Sequence, residues 1–306
     1  MDLVNSTNIF KQKTEKSIND HSVLLLLLDG LAISSTWSQS ALQQTEMPYL
    51  DFLFHNYPGA LLRVDSNQIN ICYLTIGSGS KIDKESQQIV SSLSSYLASQ
   101  NKSQLKIGET ERLAALTYFF NGKQEEKNKK EEWQIVSSDS SPEEFANAIA
   151  FKNTVKQIIK IIKSKNKTDF ICASLPILDL AALSGQFTTV EKAAQILDKN
   201  LRLICETAMA HSLTVIISAA KGRAENISKE NSESILSKDI LNPVPFLIIG
   251  PEYQGRSIRS DYSLDTNNLA LSSVLGDLSD IAPTILMFMK LTPPSEMTGQ
   301  SLWENE

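Results

Sequence analysis

Few residues in this 306-residue sequence are of a type and at a spacing that could do chemistry. The three histidines are His21, His55 and His211. The first precedes a predicted strand, the second lies on a predicted helix and the third ends one. None falls at the carboxyl end of a strand, where open parallel sheets assemble their sites. No pair of them has the spacing of metal ligands, and no nucleophile elbow, phosphate-binding loop or Cys–His cluster is present. Cys72, Cys172 and Cys205 are far apart, and two of them sit in strongly apolar runs where a thiol acts as a small hydrophobe. Asp29 and Asp179 stand out because both follow strongly apolar, strand-like runs. Two readings are open. Facing one another at the carboxyl edge of a sheet, they would hold a cation. Alternatively, Asp29 caps the turn it makes with Gly30, and Asp179 pairs with Lys221 or Arg112. Two neighbouring carboxylates without a cation would push one pKa up, so a lysine between them is a natural replacement.

These residues need a frame, and the chain supplies an alternating one. Residues 23–28 are apolar at every position, as expected of a strand covered on both faces. A helix is predicted over 47–57, ending before Pro58, and a strand over 60–64. Residues 76–80 read as a glycine turn. Residues 81–106 are rich in Ser, Gln and Lys, with a short amphipathic helix over 89–97 suited to covering the sheet. A helix over 109–115 is predicted to lead into a strand over 116–120, closed by Asn121-Gly122. The charged run 123–132 reads as a solvated loop. Ser141-Pro142-Glu143-Glu144 has the form of a helix start. A strand over 170–175, a helix over 189–210 and strands over 213–218 and 245–249 follow. Strands separated by long helices imply an α/β fold with a mostly parallel central sheet and helices on both faces. Residues 1–21 are polar and aperiodic and read as a flexible tail, leaving 22–306 as one domain.

Composition narrows the function classes. With 42% hydrophobic and 21% charged residues, the chain is an ordinary globular one. The net charge of −6 argues against nucleic acid as a partner, because neutralising phosphates needs a basic face. The run 23–28 is too short to span a membrane, which takes about 20 residues. Asp29-Gly30 interrupts it and no small-residue cleavage site follows, so it reads as a buried strand rather than a signal. Three scattered cysteines suit a reducing cytoplasm.

Several ordered stretches carry a resemblance. Leu26-Leu27-Leu28-Asp29-Gly30, Glu109-Thr110-Glu111-Arg112, Thr117 to Gly122 and Asn242-Pro243-Val244-Pro245 are four of them. The closing run from Gly276-Asp277-Leu278-Ser279-Asp280 to Met297-Thr298-Gly299-Gln300-Ser301-Leu302 is the most specific. Together they resemble the phosphatase-type domain of the cofactor-independent phosphoglycerate mutases, in the alkaline phosphatase superfamily. The resemblance implies an alkaline-phosphatase-like layered sandwich. It also implies a pair of manganese or zinc ions held by Asp and His, and a serine that takes the phosphoryl group.

The sequence departs from that pattern in two ways. The family's phosphotransferase-type domain is inserted after the glycine turn, and here residues 81–106 stand in its place as a short linker. The second departure is the active site. Asp29 matches the first-strand aspartate, but the nucleophile motif is replaced by Gln68-Ile69-Asn70-Ile71-Cys72-Tyr73. Ile69 therefore holds the nucleophile position, with Ser66 nearby in a shortened segment. Asp179 matches another ligand, but the histidine after it is Leu183. At the next strand end, Ala220 and Lys221 replace an Asp-His pair, and Lys221 would put a cation into the emptied site. The remaining metal histidine corresponds to about Asp239, a further family histidine to Ala115, and the family lysine to Arg112. The resemblance thus implies a non-catalytic relative with no bound cofactor and with relic positions Asp29, Asp179 and Asp239. Such a relative would serve as a structural or protein-interaction subunit whose partner is another protein. Two alternatives stand beside it: a divergent hydrolase using those aspartates around one ion, and a phosphometabolite binder built from Arg112, Lys221 and Arg223. Gly77 and Gly79 are read as structural.

Overall fold

A computed structural model describes residues 21–34, 40–139, 148–229 and 241–304. The strand β1 (Val23–Leu27) is buried at every position, which requires cover on both faces of the sheet. It lies between β5 (Phe170–Ser174) and β6 (Thr214–Ser218), pairing parallel with each. The other strands are β2 (Gly59–Arg63), β3 (Gln104–Glu109), β4 (Glu131–Val136), β7 (Val244–Ile249) and β8 (Val274–Asp277). They form one eight-stranded sheet in the order β4-β3-β5-β1-β6-β7-β2-β8. Only β7 runs against its neighbours, pairing antiparallel with β6 and β2. The fold is therefore the expected α/β sandwich with a mostly parallel sheet.

The helices are α1 (Ala41–Gln44), α2 (Pro48–Asn56), α3 (Ile69–Ser78), α4 (Leu93–Ser99), α5 (Ile149–Ile162), α6 (Ile177–Ala182), α7 (Phe187–Ala210) and α8 (Ile281–Phe288). Along α7, Val190, Ala194, Leu197, Leu201, Ile204 and Ala208 recur at helical spacing and are all buried. Each large apolar side chain buried this way contributes about 1.5–3 kcal/mol. Asp198 on the same helix accepts the Tyr49 and Leu50 backbone N–H groups at 3.1 and 2.7 Å. It thereby caps α2, whose own N-cap residue, Met47, makes no capping bond.

Several expectations need correction. The glycine turn over 76–80 is the end of α3: Gly77 is helical, and only Gly79, at φ 62°, leaves the helix as its left-handed cap. Gly77 is required for contact instead, since a Cβ there would lie 2.0 Å from the Phe120 carbonyl oxygen. The helix predicted over 109–115 is present but irregular and runs on to Phe119, so the strand over 116–120 is wrong. Residues 104–109 form β3, Thr110–Arg112 a single 3-10 turn, and Ala114–Phe119 a π-helical turn packed on α3. A short apolar run does not distinguish strand from buried helix by periodicity. The charged run is a loop only to Lys130, because Glu131 begins β4 and is buried. The predicted helix over 89–97 forms later, as α4, behind a Ser92 capping box. Leu93 and Leu97 on it are fully buried, and it packs on β3. The helix start at Ser141 and nearly all of the predicted tail lie outside the described residues.

Candidate active site

The ends of β1, β5 and β6 are stitched together by backbone. Gly30, at φ 97°, bridges to Gly222 in parallel. Its N–H donates to the Lys221 carbonyl at 2.9 Å, and its own carbonyl accepts from Ala224 N–H at 3.0 Å. The Asp179 N–H donates to the Asp29 carbonyl at 3.0 Å. A Cβ on Gly30 would lie 2.3 Å from the Asp179 nitrogen, so only glycine allows this approach. Asp29 and Asp179 consequently meet at the sheet's carboxyl edge. One leaves β1 and the other stands in the first turn of α6.

Arg112 lies between the two carboxylates. Its Nε–H donates to Asp29 Oδ2 at 3.1 Å, and its Nη2–H donates to Asp179 Oδ2. Tyr73, from α3, donates its hydroxyl to Asp29 Oδ2 at 2.8 Å and lies 2.7 Å from the Ser174 hydroxyl. The Ala220 N–H donates to Asp29 Oδ1 at 3.1 Å. Arg223 Nε approaches Asp179 Oδ1 to 2.7 Å, an ion pair without hydrogen-bond alignment. Asp29 and Tyr73 are fully buried, Asp179 and Arg112 nearly so.

The electrostatics follow from this burial. Desolvation pushes the Asp29 carboxyl up, against the pull of Arg112, Tyr73 and Ala220 N–H. Each of those partners donates a hydrogen, and both carboxylate oxygens accept, an arrangement that suits the ionised form. Burial opposes ionisation of Arg112 as well, yet the two aspartates hold it above its ordinary value. Lys221 is pushed down by burial and by the neighbouring Arg223 charge. Glu225, fully buried and with Oε2 lacking any partner among the described residues, is pushed up by burial to about 7.

Two sequence expectations change. Lys221 does not fill the space between the aspartates; its ammonium donates to the Asn67 carbonyl at 2.8 Å, and Arg112 takes that place. The Asp29 side chain does not cap the turn with Gly30 but accepts Tyr73, Arg112 and Ala220. Ile69 opens α3 half-buried, and Ser66, in the loop before it, accepts the Gln68 N–H with its hydroxyl. Leu183 is exposed one turn beyond Asp179, Ala220 is buried beside Asp29, and Asp239 lies outside the described residues. Tyr73 was not singled out from the sequence. The available signal was its place at the end of the altered nucleophile motif, where a phenol can reach into the site from the second turn of α3.

The residues present do not fit a metal pair. The oxygens of Asp29 and Asp179 are engaged by guanidinium, phenol and amide donors. Ile69, Leu183 and Ala220 bring no donor atom, and Lys221 brings a cation. Among the described residues, no group of three or more His, Cys, Asp or Glu is placed to hold an ion.

A family model of the metalloenzyme superfamily matches residues 21–293. The 2,3-bisphosphoglycerate-independent phosphoglycerate mutase of Clostridioides difficile is 34% identical over 222 residues, which are 71% of this chain and 40% of that protein. The corresponding mutase of Mycoplasma genitalium is 29% identical over 225 residues, 72% of this chain and 39% of that protein. The chain thus spans about 40% of the length of these curated relatives. In fold it is similar to a phosphoglycerate mutase of Leishmania mexicana, with a TM-score of 0.56 at 18% identity, covering 70% of this chain and 39% of that one. It is also similar to the lipoteichoic acid synthase LtaP of Listeria monocytogenes, with a TM-score of 0.62 at 11% identity, covering 97% of this chain and 81% of that one.

Proposed function

Since the chain belongs to the metalloenzyme superfamily while its own site residues do not fit that family's metals, we infer that it is a non-catalytic, phosphoglycerate-mutase-like protein. Its role would be that of a structural or interaction subunit for another protein. The observation that carries this reading is the engagement of both surviving carboxylates by Arg112. Metal-assisted phosphoryl transfer needs open ligand positions and a nucleophile; the nucleophile position here is Ile69. A single domain without the family's phosphotransferase insertion belongs to the same reading, since between α3 and β3 the chain forms only α4 and loops. The cysteines, free and buried, suit a cytoplasmic setting. No described helix is long and apolar enough to cross a membrane.

The test is direct. Purified protein is expected to show no manganese-dependent mutase or phosphatase activity above an Asp29→Asn variant. Activity that Asp29→Asn abolishes would overturn the reading. Affinity capture from the native organism is expected to recover a reproducible protein partner.

One observation favours a second reading. Among the described residues, the half-buried Lys221 ammonium has a single acceptor, Asn67, and no carboxylate within ion-pair distance. With Arg223 beside it, it would suit a phosphorylated metabolite bound without turnover. A thermal-shift screen of phosphometabolites tests this, because a ligand specific to the native state raises Tm.

A further inference from the structure

We propose that the Arg112 guanidinium is the permanent counter-ion of the Asp29–Asp179 pair, making the stability of the fold independent of divalent metal. The guanidinium is a planar fork with fixed donor directions, and it spends one on each aspartate: Nε–H on Asp29 and Nη2–H on Asp179. Unlike an ion, it is tethered to the chain by the turn after β3, so it neither dissociates nor is removed by a chelator.

The surroundings complete the exchange. The Tyr73 phenol and Ala220 N–H fill the other acceptor positions of Asp29, and Arg223 lies against the remaining oxygen of Asp179. Formal charge balances, with two guanidiniums against two carboxylates, so a divalent ion would enter against two fixed cations. Access is closed as well, because Asp29 is 0%, Asp179 5% and Arg112 7% exposed. Tyr73, Arg112 and Arg223 therefore act as one set around the aspartates. The inference goes beyond loss of activity: a protein with no turnover could still hold a structural ion, and this one is inferred not to.

The wild-type full chain gives the first test. Its Tm should be unchanged by EDTA and by millimolar manganese or zinc, and metal analysis should find no stoichiometric ion. A fall in Tm with EDTA, a saturable rise with either ion, or a stoichiometric ion would overturn the proposal. The second test is Arg112→Met, which leaves two buried carboxylates with Arg223 alone in ion-pair contact. Its Tm should fall, and manganese or zinc should restore part of the loss in a saturable way. An unchanged Tm, or recovery by neither ion, would overturn the proposal. Should Arg112→Met fail to fold without metal, Arg112→Lys carries the test. Its ammonium lacks the fork, so Tm should fall while staying insensitive to metal; a Tm equal to wild type would overturn the bridge. None of these measurements reads catalysis, so they stand or fall separately from the assay of activity.

Discussion

Lys106 and Glu131 form one buried ion pair of this sheet, and Arg112 with its two aspartates forms another, yet the two are built differently. Lys106 points from β3 to Glu131 on β4 at 3.1 Å, both side chains being fully buried. Glu131 Oε1 also accepts from Trp133 at 2.7 Å and Asn121 at 2.9 Å, while Oε2 accepts from Asn121 at 3.1 Å and from Asn128 twice, at 2.9 Å. Lys106 is completed by Ser94, by Asn121 and by the face of Phe120. Both Glu131 oxygens are fully used, and the donors hold Glu131 down to about 2 despite its burial. The Arg112 cluster is short of donors by comparison. Asp179 Oδ1 lacks an aligned one, and the nearby Glu225 and Glu109 each leave one carboxylate oxygen unpartnered among the described residues. Burial pushes both glutamates up to about 7. The first cluster reads as a closed structural pair. The second reads as a group of carboxylates to which a guanidinium and a phenol have been fitted.

The largest expected effect tests the closed pair. Glu131→Gln leaves Lys106 charged and buried without its counter-charge, which should cost about 3–5 kcal/mol. Urea unfolding followed by circular dichroism should show a lower midpoint with an unchanged slope. Adding Lys106→Met should recover only part of the loss, because Asn121, Asn128 and Trp133 still lack their acceptor charge. Full recovery would mean that those hydrogen bonds contribute nothing.

The same substitution chemistry at the other cluster should cost less. Asp29→Asn keeps an oxygen for Tyr73 and Arg112 but removes the charge, and burial already disfavours that charge. A loss of about 2 kcal/mol is expected, within the range for hydrogen bonds to charged groups. A loss as large as that of Glu131→Gln would erase the contrast between the two regions.

That contrast was only partly legible in the sequence, and the reasons are physical. β1, β5 and β6 were readable because burial on both faces writes an unbroken apolar run. β3 was hidden by Lys106, whose counter-charge comes from strand β4, and the start of β4 was hidden inside the charged run 123–132. Asp29 and Asp179 were readable from their apolar strands and the sheet-edge rule. The identity of their cation was left open between Lys221 and Arg112, because Arg112 reaches them only through a 3-10 turn at the end of the unread β3. Lys221 was equally close in sequence terms, and only the fold shows its ammonium turned to Asn67. Tyr73 escaped because its hydroxyl acts across α3 on a residue 44 positions away.

The smallest effect concerns pH, where the two regions should diverge in sign. Glu131 sits at about 2 in the folded state, below its ordinary 4.5, so its contribution is present above 4.5 and is lost as pH falls through about 2. Glu225 behaves in the opposite way. Its folded value of about 7 lies above the ordinary 4.5, so the native state binds more protons between them. Its contribution is present below 4.5 and is lost as pH rises through about 7. Glu225→Gln removes that titration while keeping an oxygen for Asn242, which donates to Oε1 at 2.9 Å. The new amide adds an unpartnered donor near Oε2, a cost that is the same at every pH and leaves the slope untouched. The Tm of Glu225→Gln relative to wild type should therefore rise between pH 6 and pH 7, by the equivalent of about 1 kcal/mol. A difference that stays flat over that interval would mean that Glu225 is ionised throughout. Lys221, whose charge acts on it, would then be its effective partner, and the site would be as fully paired as the Lys106–Glu131 cluster.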